Sequence, residues 1–183
     1  SYTVRYYCND TLGNLNGSTS RVFTIDTLPP IAFSANISSP VSGGNYSEKT
    51  GIVIMNVSLV DVTTQVNFVF FNVTNSAGVQ NATFIGLREG TTNQYSNSSL
   101  NTTSFPEGNY NVTVYANDTV GNLNNSARVQ NVRFDNKPPI VTINQPTNTT
   151  YTTATVDLNV TLNEDGDSCL YSLNSGSTNT TLQ

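Results

Sequence analysis

Apolar and polar residues alternate along much of this chain with a period of two. In EGNYNVTVYAND, Tyr110, Val112, Val114 and Ala116 fall on one face, and Asn111, Thr113 and Tyr115 on the other. This is the pattern of a strand with one side against a core. Val57 and Leu59 share a face flanked by Asn56 and Ser58, and Val156, Leu158, Val160 and Leu162 alternate with Asp157, Asn159 and Thr161. Apolar residues at helical spacing do not compete, so the pattern predicts short strands. NDTLGNLN and NDTVGNLN follow two of these strands directly. Each supplies Asn, Asp and Gly where a tight turn needs side-chain acceptors and positive φ, and reads as a hairpin to the last strand of its unit.

The strands belong to a repeat. Ser1 to Ser18 aligns without gaps on Asn109 to Ser126, with 11 of 18 positions identical. Both copies continue through an apolar strand into a Pro-Pro pair, Pro29-Pro30 and Pro138-Pro139, giving a period of about 109 residues, the size of one β-sandwich. After each pair comes an apolar strand, then Pro40 or Pro146, Tyr46 or Tyr151, and MNVSL or LNVTL. The expected layout is half a domain in 1–28, a complete domain in 29–137 and the first half of another in 138–183. Proline fixes φ and restricts the residue before it, so the linkers are expected to be stiff and the array rod-like.

Charged residues make up only 10% of the chain, with a net charge of -5 and seven Lys plus Arg. That argues against a nucleic-acid partner or an anionic membrane surface. Membrane insertion is not expected either, because no apolar run approaches 18 residues, and Ser1 does not open a signal-peptide pattern. The chain has no His and no Trp. Ser-His-Asp and imidazole-metal chemistry are thereby excluded within it, and no catalytic residue is expected.

The pattern G-x-Y-x-V-x-x-Y-x-N-D-x-x-G-N at Gly108 to Asn122, followed by a strand ending near Asp and then Pro-Pro, resembles the Ig-like repeats of prokaryotic, particularly archaeal, cell-surface proteins. NEDGDSCLYSLNSG in the third unit and YYCND in the first resemble the same repeat type. The resemblance covers essentially the whole chain and implies an all-β fold of tandem immunoglobulin-like or fibronectin-III-like β-sandwiches at an extracellular cell surface. It also puts Tyr2 and Tyr110 at a tyrosine-corner position. Plain core aromatics are the alternative.

Asn-x-Ser/Thr triplets, the acceptors of N-glycosylation, stand at Asn9, Asn16, Asn36, Asn45, Asn56, Asn72, Asn81, Asn97, Asn101, Asn111, Asn117, Asn124, Asn148, Asn159 and Asn179. With 27 Asn and 46 Ser plus Thr in 183 residues, chance would produce about seven, and the chain has fifteen. Asn56, Asn111 and Asn159 also alternate away from the apolar face of their strands. Both observations favour a glycosylated surface over compositional accident.

Cys8 and Cys169 are the two cysteines. Cys8 corresponds to Ala116, and Cys169, read as opening a strand with Tyr171 and Leu173 on its face, corresponds to an apolar residue such as Val66 or Phe68. The complete domain thus lacks both, as expected if each repeat has a bridged pair or none. Tens of ångströms of intervening domain rule against a bond between them within one chain. Each is expected to pair outside this segment or with a neighbouring copy, and two free buried thiols are the alternative.

No metal or cofactor is expected. Ca²⁺ is the one candidate, through Glu164, Asp165 and Asp167, or through Asp10, Asp26, Asp118 and Asp135 near domain ends, and turn chemistry accounts for these residues as well. Tyr7 and Tyr115 are outward aromatics that could stack on a sugar, although cross-strand packing is the commoner role. The expected partners are flanking repeats or copies of the chain, and covalent N-glycans. Residues 138–183 and 1–28 together fall short of one period, so head-to-tail closure into a fibre and a longer covalent array both stay open. The sequence therefore predicts a structural segment of a surface filament, stalk or layer. The alternative is the stalk of an adhesin whose binding tip lies elsewhere, and an accessory module of a secreted hydrolase has least support.

Overall fold

The computed structural model describes residues 1–32, 36–47 and 49–182. They form two compact units, Ser1–Asn136 and Lys137–Gln183. Strands β1 (Tyr2–Val4), β2 (Tyr7–Asn9), β3 (Leu15–Gly17) and β4 (Arg21–Phe23) open the first unit. They make two ribbons, β1 with β4 and β2 with β3. Next come β5 (Ile37–Ser39), β6 (Asn45–Tyr46), β7 (Ile52–Ser58), β8 (Val66–Asn75), β9 (Gln80–Ile85), β10 (Leu87–Arg88), β11 (Gln94–Asn101), β12 (Gly108–Asp118), β13 (Leu123–Asn124) and β14 (Arg128–Phe134). Strands β10-β11-β7-β5 form one sheet, and β6-β14-β12-β8-β9 form the other, with β13 on β12.

The inward positions of both sheets meet in one core. Val53, Met55 and Val57 of β7 pack with Val69, Phe71 and Val73 of β8, Val112 and Val114 of β12, and Phe134 of β14, all essentially inaccessible. Alternation decides this, because each buried residue on β7, β8 and β12 is followed by one facing outward. A bulge in β14 keeps the pattern: Val112 faces Val129 and Tyr110 faces Val132, with Asn131 between them at φ 56. Val129 and Val132 therefore both point inward despite their spacing of three. Gly86 carries the chain from β9 in one sheet to β10 in the other. A Cβ there would lie 2.9 Å from Val69 Cγ1, so only glycine lets the crossing pass this close to the core.

Residues 1–28 contribute no buried side chain, and the same holds for the described residues of the second unit. That unit has β15 (Val141–Gln145) paired with β16 (Asn159–Leu162), and β17 (Leu170–Tyr171) paired with β18 (Thr180–Thr181). Two expectations change here. The strand containing the alternation at 156–162 begins only at Asn159, where register with Gln145 starts, and Val156 lies outside it, exposed. The strand expected to open at Cys169 and reach Leu173 is confined to Leu170 and Tyr171, because β18 pairs with those two residues alone, and Leu173 is exposed. The corresponding strand of the complete sandwich, β8, is ten residues long because β12 and β9 pair along its two sides.

Candidate functional site

The two NDTxGNLN segments fold into the same turn. Asp118 Oδ1 accepts from the backbone N–H groups of Val120, Gly121 and Asn122, and Asn122 Nδ2 donates to Asp118 Oδ2 at 2.7 Å. In the first copy, Asp10 Oδ1 accepts from Leu12 N and Asn14 N, and Asn14 Nδ2 donates to Asp10 Oδ2 at 2.7 Å. Gly121 and Gly13 hold φ of 98 and 85, which explains the glycine in each. Burial raises the Asp118 carboxyl, but the bonds from Asn122, Val120 and Gly121 outweigh it and hold the group below the ordinary carboxylate value. Asp10 is lowered chiefly by the Asn14 side chain and backbone.

The loop at 118–126 also grips the segment that enters the complete domain. Asn122 Nδ2 reaches the carbonyls of Asp26 and Leu28 at 3.3 and 3.5 Å, Asn124 Nδ2 donates to Pro30 O at 2.8 Å, and Ser126 Oγ donates to Ala32 O at 2.9 Å. At this junction Asp26, Asp61 and Asp118 bring carboxylate oxygens within 4.8 Å of one another, the one grouping of three potential metal ligands among the described residues. Asp26 and Asp118 come from the expected set. Asp61 is new, from the DVTT turn between β7 and β8, where its Oδ1 accepts from Thr63 N and Thr64 N. Asp26 Oδ1 accepts from Leu28 N, and Oδ2 from Thr64 Oγ1. Turn and junction hydrogen bonds thus account for all three acids. Asp135 instead pairs with Arg133 at 2.8 Å, and Asp10, Glu164, Asp165 and Asp167 join no such group.

The fifteen sequon asparagines are all described, and none is buried. Asn9, Asn16, Asn45, Asn81, Asn101, Asn148, Asn159 and Asn179 are exposed, and Asn36, Asn56, Asn72, Asn97, Asn111, Asn117 and Asn124 are half-buried. Local bonds tie down some of the amides. Asn97 Nδ2 donates to Ile85 O and Asn124 Nδ2 to Pro30 O, so at these two the glycan-bearing atom is already engaged. Asn101 Oδ1 accepts from both Thr103 N and Thr103 Oγ1 of its own triplet.

Tyr110 is buried, and its hydroxyl donates to Pro106 O at 2.7 Å, four residues upstream. That bond is what distinguishes a tyrosine corner from a plain core aromatic. Residues 92–181 match the family model described as Bacterial Ig-like domain (group 3). The fold is an Ig-like β-sandwich. The matched residues run from just before β11 in the first unit to β18 in the second. No curated protein and no solved structure matches the chain. Tyr2, the equivalent of Tyr110 in the first repeat, is exposed and stacks on Phe23.

In the Ig-like domain, Ala116 on β12 faces Val69 on β8, with Phe68 opposite Asn117 and Val66 opposite Asp118. If Cys8 is equated with Ala116 and Cys169 with Val66 or Phe68, as in the alignment above, the two positions fall on adjacent strands, with Ala116 turned inward and Phe68 outward. Cys8 itself is exposed, Cys169 half-buried, and both are free thiols. Tyr115 packs across the strands, its ring parallel to Phe70 at 4.6 Å, while Tyr7 lies under the Arg5 guanidinium. An open depression of about 310 Å³, lined by residues that include Phe84, Phe105 and Pro106, has no titratable side chain in its wall. No helix among the described residues is long and apolar enough to cross a membrane.

Proposed function

We propose that the chain is a structural segment of an extracellular, N-glycosylated repeat protein of the prokaryotic, archaeal type, built into a cell-surface filament, stalk or layer. The placement of the sequon asparagines carries this reading. On the central strands Asn56, Asn72, Asn111 and Asn117 each stand between two neighbours that are buried, and each faces out. Triplets scattered by composition alone would put some inward, where no sugar can be attached. Asn45 and Asn81 lie on β6 and β9, the two edges of the larger sheet, where a glycan blocks pairing with another chain. Glycans also supply the polar cover that a surface so poor in charge lacks.

Exposed apolar positions support continuation of the array at both ends. Tyr2, Tyr6 and Val22 of the first repeat are exposed, whereas Tyr110 and Val114, the equivalents of Tyr2 and Tyr6, are buried in the complete domain. Val141, Ile143 and Leu170 of the second unit are exposed as well. These faces take the complementary half of a sandwich, from flanking repeats or, head to tail, from a neighbouring copy. Imaging of native material is expected to show filaments or a lattice, and intact mass spectrometry a mass well above the bare polypeptide. A monodisperse, unglycosylated monomer would count against both parts of the reading.

A further inference from the structure

On the outer face of the larger sheet, β8 presents Phe68, Phe70 and Asn72, and antiparallel β12 sets Asn117, Tyr115 and Thr113 opposite them in turn. Phe70 and Tyr115 stack at 4.6 Å, Phe68 leans on Phe70 at 5.7 Å, and Ile85 of β9 lies opposite Phe70 on its other side. Phe68 and Ile85 remain 42% and 55% exposed. This is a contiguous apolar ridge on a face that soluble sheets ordinarily keep polar.

Two polar positions adjoining the ridge are both sequons, Asn72-Val73-Thr74 and Asn117-Asp118-Thr119. Asn72 follows Phe70 by two residues, and Asn117 follows Tyr115 by two and sits opposite Phe68, so each shares the face of the ridge and adjoins a ring. In both amides the oxygen is buried without a hydrogen-bond partner. Asn56 on β7 shares this state, so what sets Asn72 and Asn117 apart is their place beside the rings.

We propose that Asn72 and Asn117 carry N-glycans whose first sugars lie on the Phe68–Phe70–Tyr115 ridge, so that the occupant of this face is the protein's own glycan. The proposal rests on the glycosylated-surface reading above. Attachment consumes a lipid-linked glycosyl phosphate or pyrophosphate. Nδ2 bonds to C1 of the sugar as the C1–O bond breaks, the phosphate leaves with the bonding pair, and the amide releases one proton. One face of a pyranose is largely C–H, electropositive against the negative face of an aromatic ring. A stacked pair fixed on two hydrogen-bonded strands is preorganised to receive it.

Glycopeptide mass spectrometry of the native chain separates the two ideas. Bare Asn72 and Asn117 overturn this proposal, whereas only bare asparagines at all fifteen sequons overturn the glycosylated surface as well. With sugar at both sites, NMR is expected to show sugar C–H protons shifted upfield by the rings, and the Phe70→Leu variant to lose that shift with occupancy unchanged. Asn72→Gln is expected to raise binding of an apolar dye and lower Tm by roughly 4 °C. Asn81→Gln, on the exposed edge, serves as the control that changes neither. Unshifted sugar protons, with the two glutamine variants behaving alike, overturn the proposal.

Discussion

A single carboxylate organises each NDTxGNLN turn, and its worth is measurable. Asp118→Ala strands three N–H groups and is expected to lower Tm clearly, with Asp118→Asn, which keeps one acceptor oxygen, falling between it and the parent in a thermal melt. Asp10 and Asp118 are both held below 3.8 in the folded chain. Their contribution to stability is therefore complete above that value and is lost as pH falls through their lowered folded values. Urea midpoints for the parent are expected to hold steady near neutrality and to decline below about pH 4, with a shallower decline in Asp118→Asn. Tyr110→Phe removes the bond to Pro106 and is expected to cost about 1 kcal/mol in denaturant unfolding, while Tyr2→Phe costs nothing measurable. These turn roles were legible in the sequence because the partners lie within four residues. Asp61 was not, since it reaches Asp26 and Asp118 only after β7 and β8 have been brought together by the sheets.

Among the elements, legibility followed how completely a strand is paired. The alternation at 110–116 marks β12 correctly because β8 and β14 hold it on both sides and the opposite sheet covers its inner face. The same alternation at 156–162 gives only a four-residue strand, because pattern records which face could be buried, not whether a covering sheet is present. The sheet-to-sheet crossing at Gly86 left no clear sequence signal, since its need for glycine arises from Val69 and Phe71, distant in the chain. Gly86→Ala is expected to destabilise the domain by forcing β9 and β10 apart or displacing Val69, with the loss read as a lower urea midpoint at unchanged slope. Phe71→Ala, which empties the centre of the core, is expected to cost about 3–5 kcal/mol.

At the scale of the whole molecule, the all-β, Ig-like class was readable in advance, since strand alternation and the turn motif are local properties of the sequence. The grip of Asn122 and Asn124 on Asp26, Leu28 and Pro30 was not, because nothing in the sequence says where a loop touches a linker. In native material Cys8 and Cys169 are expected to resist maleimide labelling until a reductant is added, and prompt labelling would indicate free thiols instead. In the array proposed above, the grip itself is expected to give a defined response to tension. A pull along the chain is carried through residues 26–30, and it loads a few polar contacts at the loop before it reaches any strand of the core. Such contacts part and re-form without unfolding a domain. In that array this junction is then expected to act as a shock absorber that gives slightly and recovers, with the sandwich held in reserve.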